Sequence, residues 1–283
     1  MINLFRKKKK DNQLKLSELL DGYEIPSFPA IVIEVLNDLR IPDIGLGQIA
    51  NKLEQDPGMQ VKILKTVNSA AFGLSREVTN LHNAISIMGH SRLETILLAH
   101  AVKSSLPHAS TENFSMTQFW QSAARRACLA RAVARRLHPA TQVESFTAGL
   151  LQDMAVPVLV AQKRQEYVGI LEMMASDQSA WLHELESDKL PYDHSDVGGC
   201  MAREWGLPEY LVGAISSHHD EDSDSGVEPG IRLASFVRDR VEPECLAAMY
   251  AFAEKVYGLE KGTMDVIVEC AFAEAEEFAS RLF

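Results

Sequence analysis

The stretch DPGMQVKILKTVNSAAFG, Asp56 to Gly73, is written as a helix with both of its ends. Asp56 offers a side-chain acceptor at the capping position, and Pro57 suits the first helical position, where a backbone N–H has no intrahelical partner. Met59, Val61, Ile63, Leu64 and Val67 carry the apolar content of the segment. Asn68 and Gly73 then flank a turn in which short polar and glycine residues let a helix stop and the chain reverse. The segment reads as helix, then turn.

The same punctuation recurs on both sides. Leu14, Leu16, Leu19 and Leu20 suggest a short helix ending near Gly22, and the two prolines of IPSFP set an extended approach to a helix at 29–40. A helix over 45–55 precedes Asp56. Asn80 caps another, broken at Gly89, and Ser91 caps a strongly apolar one that ends before Pro107. The polar run PHASTENFS, 107–115, is the best boundary. A long helix at 116–137 follows, with Phe119, Trp120, Ala123, Ala127, Ala130 and Val133 inward. Arg125, Arg126, Arg131, Arg135 and Arg136 are read as its solvated face, with a phosphate-recognition patch as the alternative. Helices are expected over 143–160 (with Pro157 kinking it or ending it early), 164–176, 178–187, 193–205, 208–219, 230–240, 243–257 and 262–282, with a loop at 220–230.

Strand signals are nearly absent, so the fold class is all-α. The chain divides into a basic tail at 1–13, an N-terminal helical half at 14–110, a second helical half at 115–241, and acidic C-terminal helices at 242–283 packed on that second half.

Composition narrows the function. The chain has 283 residues, 46% hydrophobic and 24% charged, with a net charge of −11. That is ordinary for a globular protein and argues against broad nucleic-acid binding, which needs a basic surface. The basic run Arg6 to Lys10 reads as a frayed, solvated tail, with weak attraction to anionic surfaces as its sharper alternative. No stretch approaches the roughly 18 apolar residues of a membrane span. Cys128, Cys200, Cys245 and Cys270 are far apart with no CxxC spacing, and read as reduced thiols of a cytoplasmic protein.

A second stretch poses the functional question. In TAGLLQDMAVPVLV, Thr147 to Val160, the acid Asp153 stands among apolar neighbours beside Gln152. An ionised carboxylate there is costly unless a cation or hydrogen-bond donors sit beside it.

Two blocks carry a family resemblance. FPAIVIEVLNDL, DPGMQVKILKTVNSAAFG and AISIMGHSRLETI resemble, in that order, the HDOD domain, the HD-related output domain of bacterial signalling proteins. Phe119-Trp120, AGLLQDM and DHSDVGGCMAREWGLPEYLVGAISSHHD resemble its HD-like half. Together they cover most of residues 23–240 and imply a multi-helical HD-like bundle with an N-terminal helical subdomain.

The resemblance also implies where a metal would sit, and what is missing. Catalytic HD relatives place a histidine shortly after the Phe-Trp pair, a His-Asp dyad, later histidines and a closing acid. Here Ser122, Gln152 and Ser235 stand at the lost ligand positions, while Asp153, His194, His218 and His219 remain. Amide and hydroxyl oxygens supply neither the charge nor the imidazole nitrogen that first-row metals prefer, so a dinuclear centre is disfavoured. A mononuclear site of Asp153, His194 and His218 or His219 is the next option. The favoured arrangement is metal-free: Asp153 accepts from a histidine N–H, with Gln152 and Ser122 completing the network.

The expected function is therefore a non-catalytic signal-transduction output or scaffold module, without a cofactor. It would bind signalling proteins or a small nucleotide-like ligand through its acidic helices and the cleft between its two helical halves, with Asn68, Phe72 and Leu74 as candidate contacts and a homo-oligomer compatible with the sequence. The alternative is a metal-dependent phosphohydrolase acting on a nucleotide or cyclic dinucleotide through one divalent ion at the surviving residues. A nucleic-acid-binding regulator, using Arg6 to Lys10 and the arginine-rich helix, is a third reading.

Overall fold

The computed structural model describes residues 20, 22–25, 27–68, 74, 76–177, 180–220, 226–238 and 243–282, with side chains as far as 280. The basic tail, most of the expected first helix, Phe72 and Gly73 lie outside the described residues.

Capping and apolar spacing set the first helices. Helix α1 (Ala30–Leu39) buries Val32, Val35 and Leu36, and α2 (Leu46–Leu53) buries Ile49, Ala50 and Leu53. The Asp56 side chain accepts from the Met59 N–H at 2.9 Å and opens α3 (Pro57–Val67). Asn80 caps α4 (Leu81–Ser105) in the same way, and Gly89, at φ 71°, breaks its helical geometry where the sequence placed a break. Asn68 bonds both ends of its amide to the Val78 backbone, at 2.7 Å each, tying the end of α3 to the approach to α4.

A hairpin of two-residue strands, β1 (Ser110–Thr111) and β2 (Phe114–Ser115), joins this half to the rest. Helix α5 (Met116–Leu137) is the central post of the second half. Packed on it are α6 (Gln142–Leu151), α12 (Pro229–Ala234) and the last helix, α14 (Lys261–Leu282). Between them in sequence run α7 (Val156–Gln162), α8 (Arg164–Ser176), α9 (Leu182–Lys189), α10 (His194–Glu204), α11 (Glu209–Ser217) and, after α12, α13 (Pro243–Tyr257). Phe28 meets Trp205 at 5.1 Å between ring centroids, and Thr95 meets Thr147 at 2.7 Å between hydroxyls, so both ends of the N-terminal half touch the second half.

The expected single helix over 143–160 is two. Pro157 lacks an N–H and is accommodated in the first turn of a new helix, so α6 stops at Leu151 and residues 152–155 form a turn. Asp153 lies in that turn, not inside a helix. The segment Pro139–Gln162 is long and apolar enough to cross a membrane by composition, yet its most apolar window is 83% buried within the fold. It is a core element here.

Candidate functional site

Close helix packing brings the surviving ligand candidates together. On α6, a Cβ at Gly149 would lie 2.9 Å from the Arg126 carbonyl oxygen and 3.0 Å from Ala130 Cβ, so glycine lets α6 press against α5. On α10, Cβ atoms at Gly198 and Gly199 would lie 2.8 Å from Ile215 Cγ2 and 2.7 Å from Ser216 Cβ. That contact sets His194, at the start of α10, against His218 and His219, just past the end of α11. Asp193 fixes the start of α10 through a reciprocal capping box with Asp196.

The histidines converge through one kind of atom. His194 Nε2 lies 3.2 Å from His218 Nε2 and 3.0 Å from His219 Nε2. The opposite nitrogens are committed: His194 Nδ1–H donates to Glu186 Oε2 at 2.6 Å, and His218 Nδ1–H donates to the Ile215 carbonyl at 2.7 Å. In the neutral rings of His194 and His218, Nε2 therefore carries a lone pair directed into the cluster. Facing lone pairs at such distances repel unless a proton or a cation lies between them. Asp153 Oδ1 completes the rim, 3.3 Å from His218 Nε2 and 3.8 Å from His194 Nε2.

Three groups outside the sequence-based set shape this centre. The first is Arg126, placed by the sequence on a solvated helix face and found only 2% exposed. Its Nη1 donates to Asp153 Oδ2 at 2.9 Å and to the Val237 carbonyl at 3.2 Å. The physical reason for the correction is the partner: an ionised acid in the same interior makes burial of a guanidinium tolerable. Arg126 stands three residues after inward Ala123 and four before inward Ala130, so helical spacing could have found it. Of the other arginines read as surface, Arg135 and Arg136 are exposed, and Arg125 and Arg131 are half-buried.

The second and third are Glu186 and Tyr167. Glu186 is fully buried, accepts from the backbone N–H and Nδ1–H of His194, and takes a hydrogen bond from the Tyr167 hydroxyl. Nothing in the polar stretch LHELESDK signals a buried acid.

Protonation follows from these neighbours. Burial alone would push the Asp153 carboxyl up, but the Arg126 charge, with His218 and His194, holds it well below the usual carboxylate range. Burial would lower His194, yet Glu186 and then Asp153 raise it to about 9. Burial and the charges of His218 and His194 push His219 well below its ordinary value.

The partners expected around Asp153 are not the ones found. Ser122 Oγ turns back to the Gln118 carbonyl at 3.0 Å, and Ser235 Oγ to the Arg232 carbonyl at 2.8 Å. Gln152 is buried and neither amide atom has a hydrogen-bond partner. None of the three reaches Asp153 or the histidines among the hydrogen bonds of the described residues.

The donor set fits one metal ion and not two. The ligand nitrogens of His194, His218 and His219 lie within 4.8 Å of one another, and the outward nitrogens of His194 and His218 are held as metal-bound imidazoles usually are. Asp153 Oδ1 would be the adjoining oxygen. Among the described residues a second ion finds no bridging carboxylate, because Asp153 Oδ2 is bonded to Arg126. Bound there, a single ion would supply Lewis acidity and a more acidic water.

Comparison with known proteins agrees with this architecture. The HDOD domain family matches residues 25–221. A Treponema pallidum protein of uncharacterised function is 25% identical over 198 residues, 70% of this chain and 38% of its own length. A ribonuclease Y of Pseudothermotoga lettingae is 30% identical over 105 residues, 31% of this chain and 20% of its own. The chain thus spans well under half the length of either relative. Among solved structures, an HDOD domain protein of unknown function from Geobacter sulfurreducens superposes with TM-score 0.73 at 18% identity, covering 95% of this chain and 97% of that one. A candidate phosphohydrolase from Shewanella amazonensis gives 0.73 at 22% identity, covering 96% and 100%. These likenesses are of fold.

Proposed function

Since the chain belongs to the HDOD family, we propose that it is a signal-transduction output module that works by binding and not by turnover. The observation that carries this reading is the Arg126–Asp153 contact at 2.9 Å. A guanidinium already neutralises the carboxylate that hydrolytic relatives need for metal, and the other family ligand positions hold Ser122, Gln152 and Ser235. What remains suits an internal strut that ties α5, α6, α10 and α11 together. The partners are signalling proteins or a small nucleotide-like ligand.

A second reading is favoured by the three converging Nε2 atoms: a mononuclear phosphohydrolase acting on a nucleotide or cyclic dinucleotide. One experiment separates the two. The full chain, purified without chelators, is analysed for bound metal and then assayed with bis(p-nitrophenyl) phosphate and added manganese. Binding without turnover expects at most one equivalent of metal and no hydrolysis above that of Asp153→Ala. Hydrolysis that disappears in His218→Ala would establish the second reading and overturn the first.

A further inference from the structure

Apart from the histidine centre, we propose that a cleft between α3, α4, α5 and α14 binds a small organic molecule carrying two or more phosphate charges. The cleft has a volume of about 950 Å³, at the upper end of the roughly 300–1,000 Å³ typical of small-molecule sites. Lys62 and Lys65 enter it from α3, Lys103 from α4 and Arg125 from α5, and among the described residues Glu276 is the one lining carboxylate. On a chain of net charge −11 this is a local excess of positive charge, walled by protein and open to solvent. Such a concavity concentrates anions.

A second observation points the same way. His100 lines the cleft, is only 7% exposed, and its Nε2 is buried without a hydrogen-bond partner. A buried nitrogen left unpaired is destabilising, and an oxygen-rich ligand would satisfy it through an Nε2–H donor. Burial, then the charges of Lys62 and Lys103, depress His100 to about 4. Lys103 is itself lowered, by burial and by Lys62. A multiply charged anion relieves this repulsion, whereas a neutral ligand does not. Trp120 and Met116 add apolar wall beside the cations, which is why an organic phosphate fits better than phosphate alone.

The inference does not depend on what the histidine centre holds. It is tested on the full chain by calorimetric titration with inorganic pyrophosphate and with ADP. The expected result is saturable one-to-one binding of both. The Lys62→Ala, Arg125→Ala double variant, whose side chains lie near the surface, should weaken binding by about ten-fold or more, as befits lost charge-assisted hydrogen bonds. His100→Phe, which keeps bulk and removes Nε2, should weaken it several-fold. Binding should be unchanged in His218→Ala and when Arg6 to Lys10 are neutralised. The proposal is overturned by absence of saturable binding at millimolar ligand, or by equal affinity in the double variant. It is equally overturned if binding is lost in His218→Ala, which would assign the anion to the histidine centre, or on neutralising the tail.

Discussion

Buried Arg126 and partly buried Asp153 form an ion pair, Nη1 to Oδ2 at 2.9 Å, across the contact between α5 and the turn after α6. The pair explains how an acid survives in an apolar stretch. It also consumes the carboxylate oxygen that a second metal ion would need.

Removing one partner should be far worse than removing both. Arg126→Met leaves Asp153 ionised in the interior and should lower unfolding free energy by about 3–5 kcal/mol. Adding Asp153→Asn to that variant should recover part of the loss. Urea unfolding of the four proteins in a double-mutant cycle measures this. Additive losses would mean the two side chains do not act as a pair.

Two glycines on helices make opposite predictions. Gly149→Ala drives a Cβ to 2.9 Å from the Arg126 carbonyl, backbone that cannot swing aside, while Gly213 on α11 has nothing within 4 Å of an added Cβ. Gly149→Ala should therefore cost about 1–3 kcal/mol. Gly213→Ala should be neutral or stabilise by up to about 1 kcal/mol through helix propensity. Thermal unfolding of the two variants side by side checks the contrast.

His100 makes the fold sensitive to acid. Its folded value is lowered from 6.5 to about 4, so the unfolded chain takes up the proton first as pH falls. Its contribution is intact above pH 6.5 and is lost progressively as pH drops toward 4. About 1.4 kcal/mol per unit over that window gives on the order of 3 kcal/mol. Acidic side chains contribute their own acid sensitivity, so the readout is a difference. The stability drop between pH 7 and pH 4.5 should be smaller in His100→Gln than in the unmodified chain. Equal drops would remove His100 from the account.

The fold was legible because its signals are local. Asp56, Asn80 and Asp193 cap the helices they precede, Gly89 breaks one, and Pro157 starts another. Asp153, His194, His218 and His219 were also legible, since each stands in a motif, and the structure brings them to one place. Arg126 was misread because residue type outweighed position: its spacing put it on the inward stripe, while its charge suggested solvent. Glu186 was invisible, because its burial depends on Tyr167 and His194, which no local pattern in α9 announces. A cleft between the helical halves was expected, but its basic lining was invisible for a related reason. Lys62, Lys103 and Arg125 come from three helices and meet only in the folded chain.

Glu186 should be as important to the centre as any histidine. Its carboxylate holds Nδ1–H of His194 at 2.6 Å and thereby leaves Nε2 as the inward-facing nitrogen, whose proton a metal would displace. Glu186→Gln keeps the shape but offers a weaker acceptor and a competing N–H, so the His194 ring loses its fixed tautomer. Added cobalt(II) reports on this directly, since its visible spectrum appears on coordination. The unmodified chain should take up one equivalent at His194, His218 and His219. Glu186→Gln should bind it about 10–100-fold more weakly, the usual cost of losing the hydrogen bond behind a metal-bound histidine. The same variant should lose about 1–3 kcal/mol of stability without metal, because Tyr167 and the His194 backbone N–H lose a charged acceptor. Cobalt affinity unchanged in Glu186→Gln, with stability reduced, would assign Glu186 to the core alone.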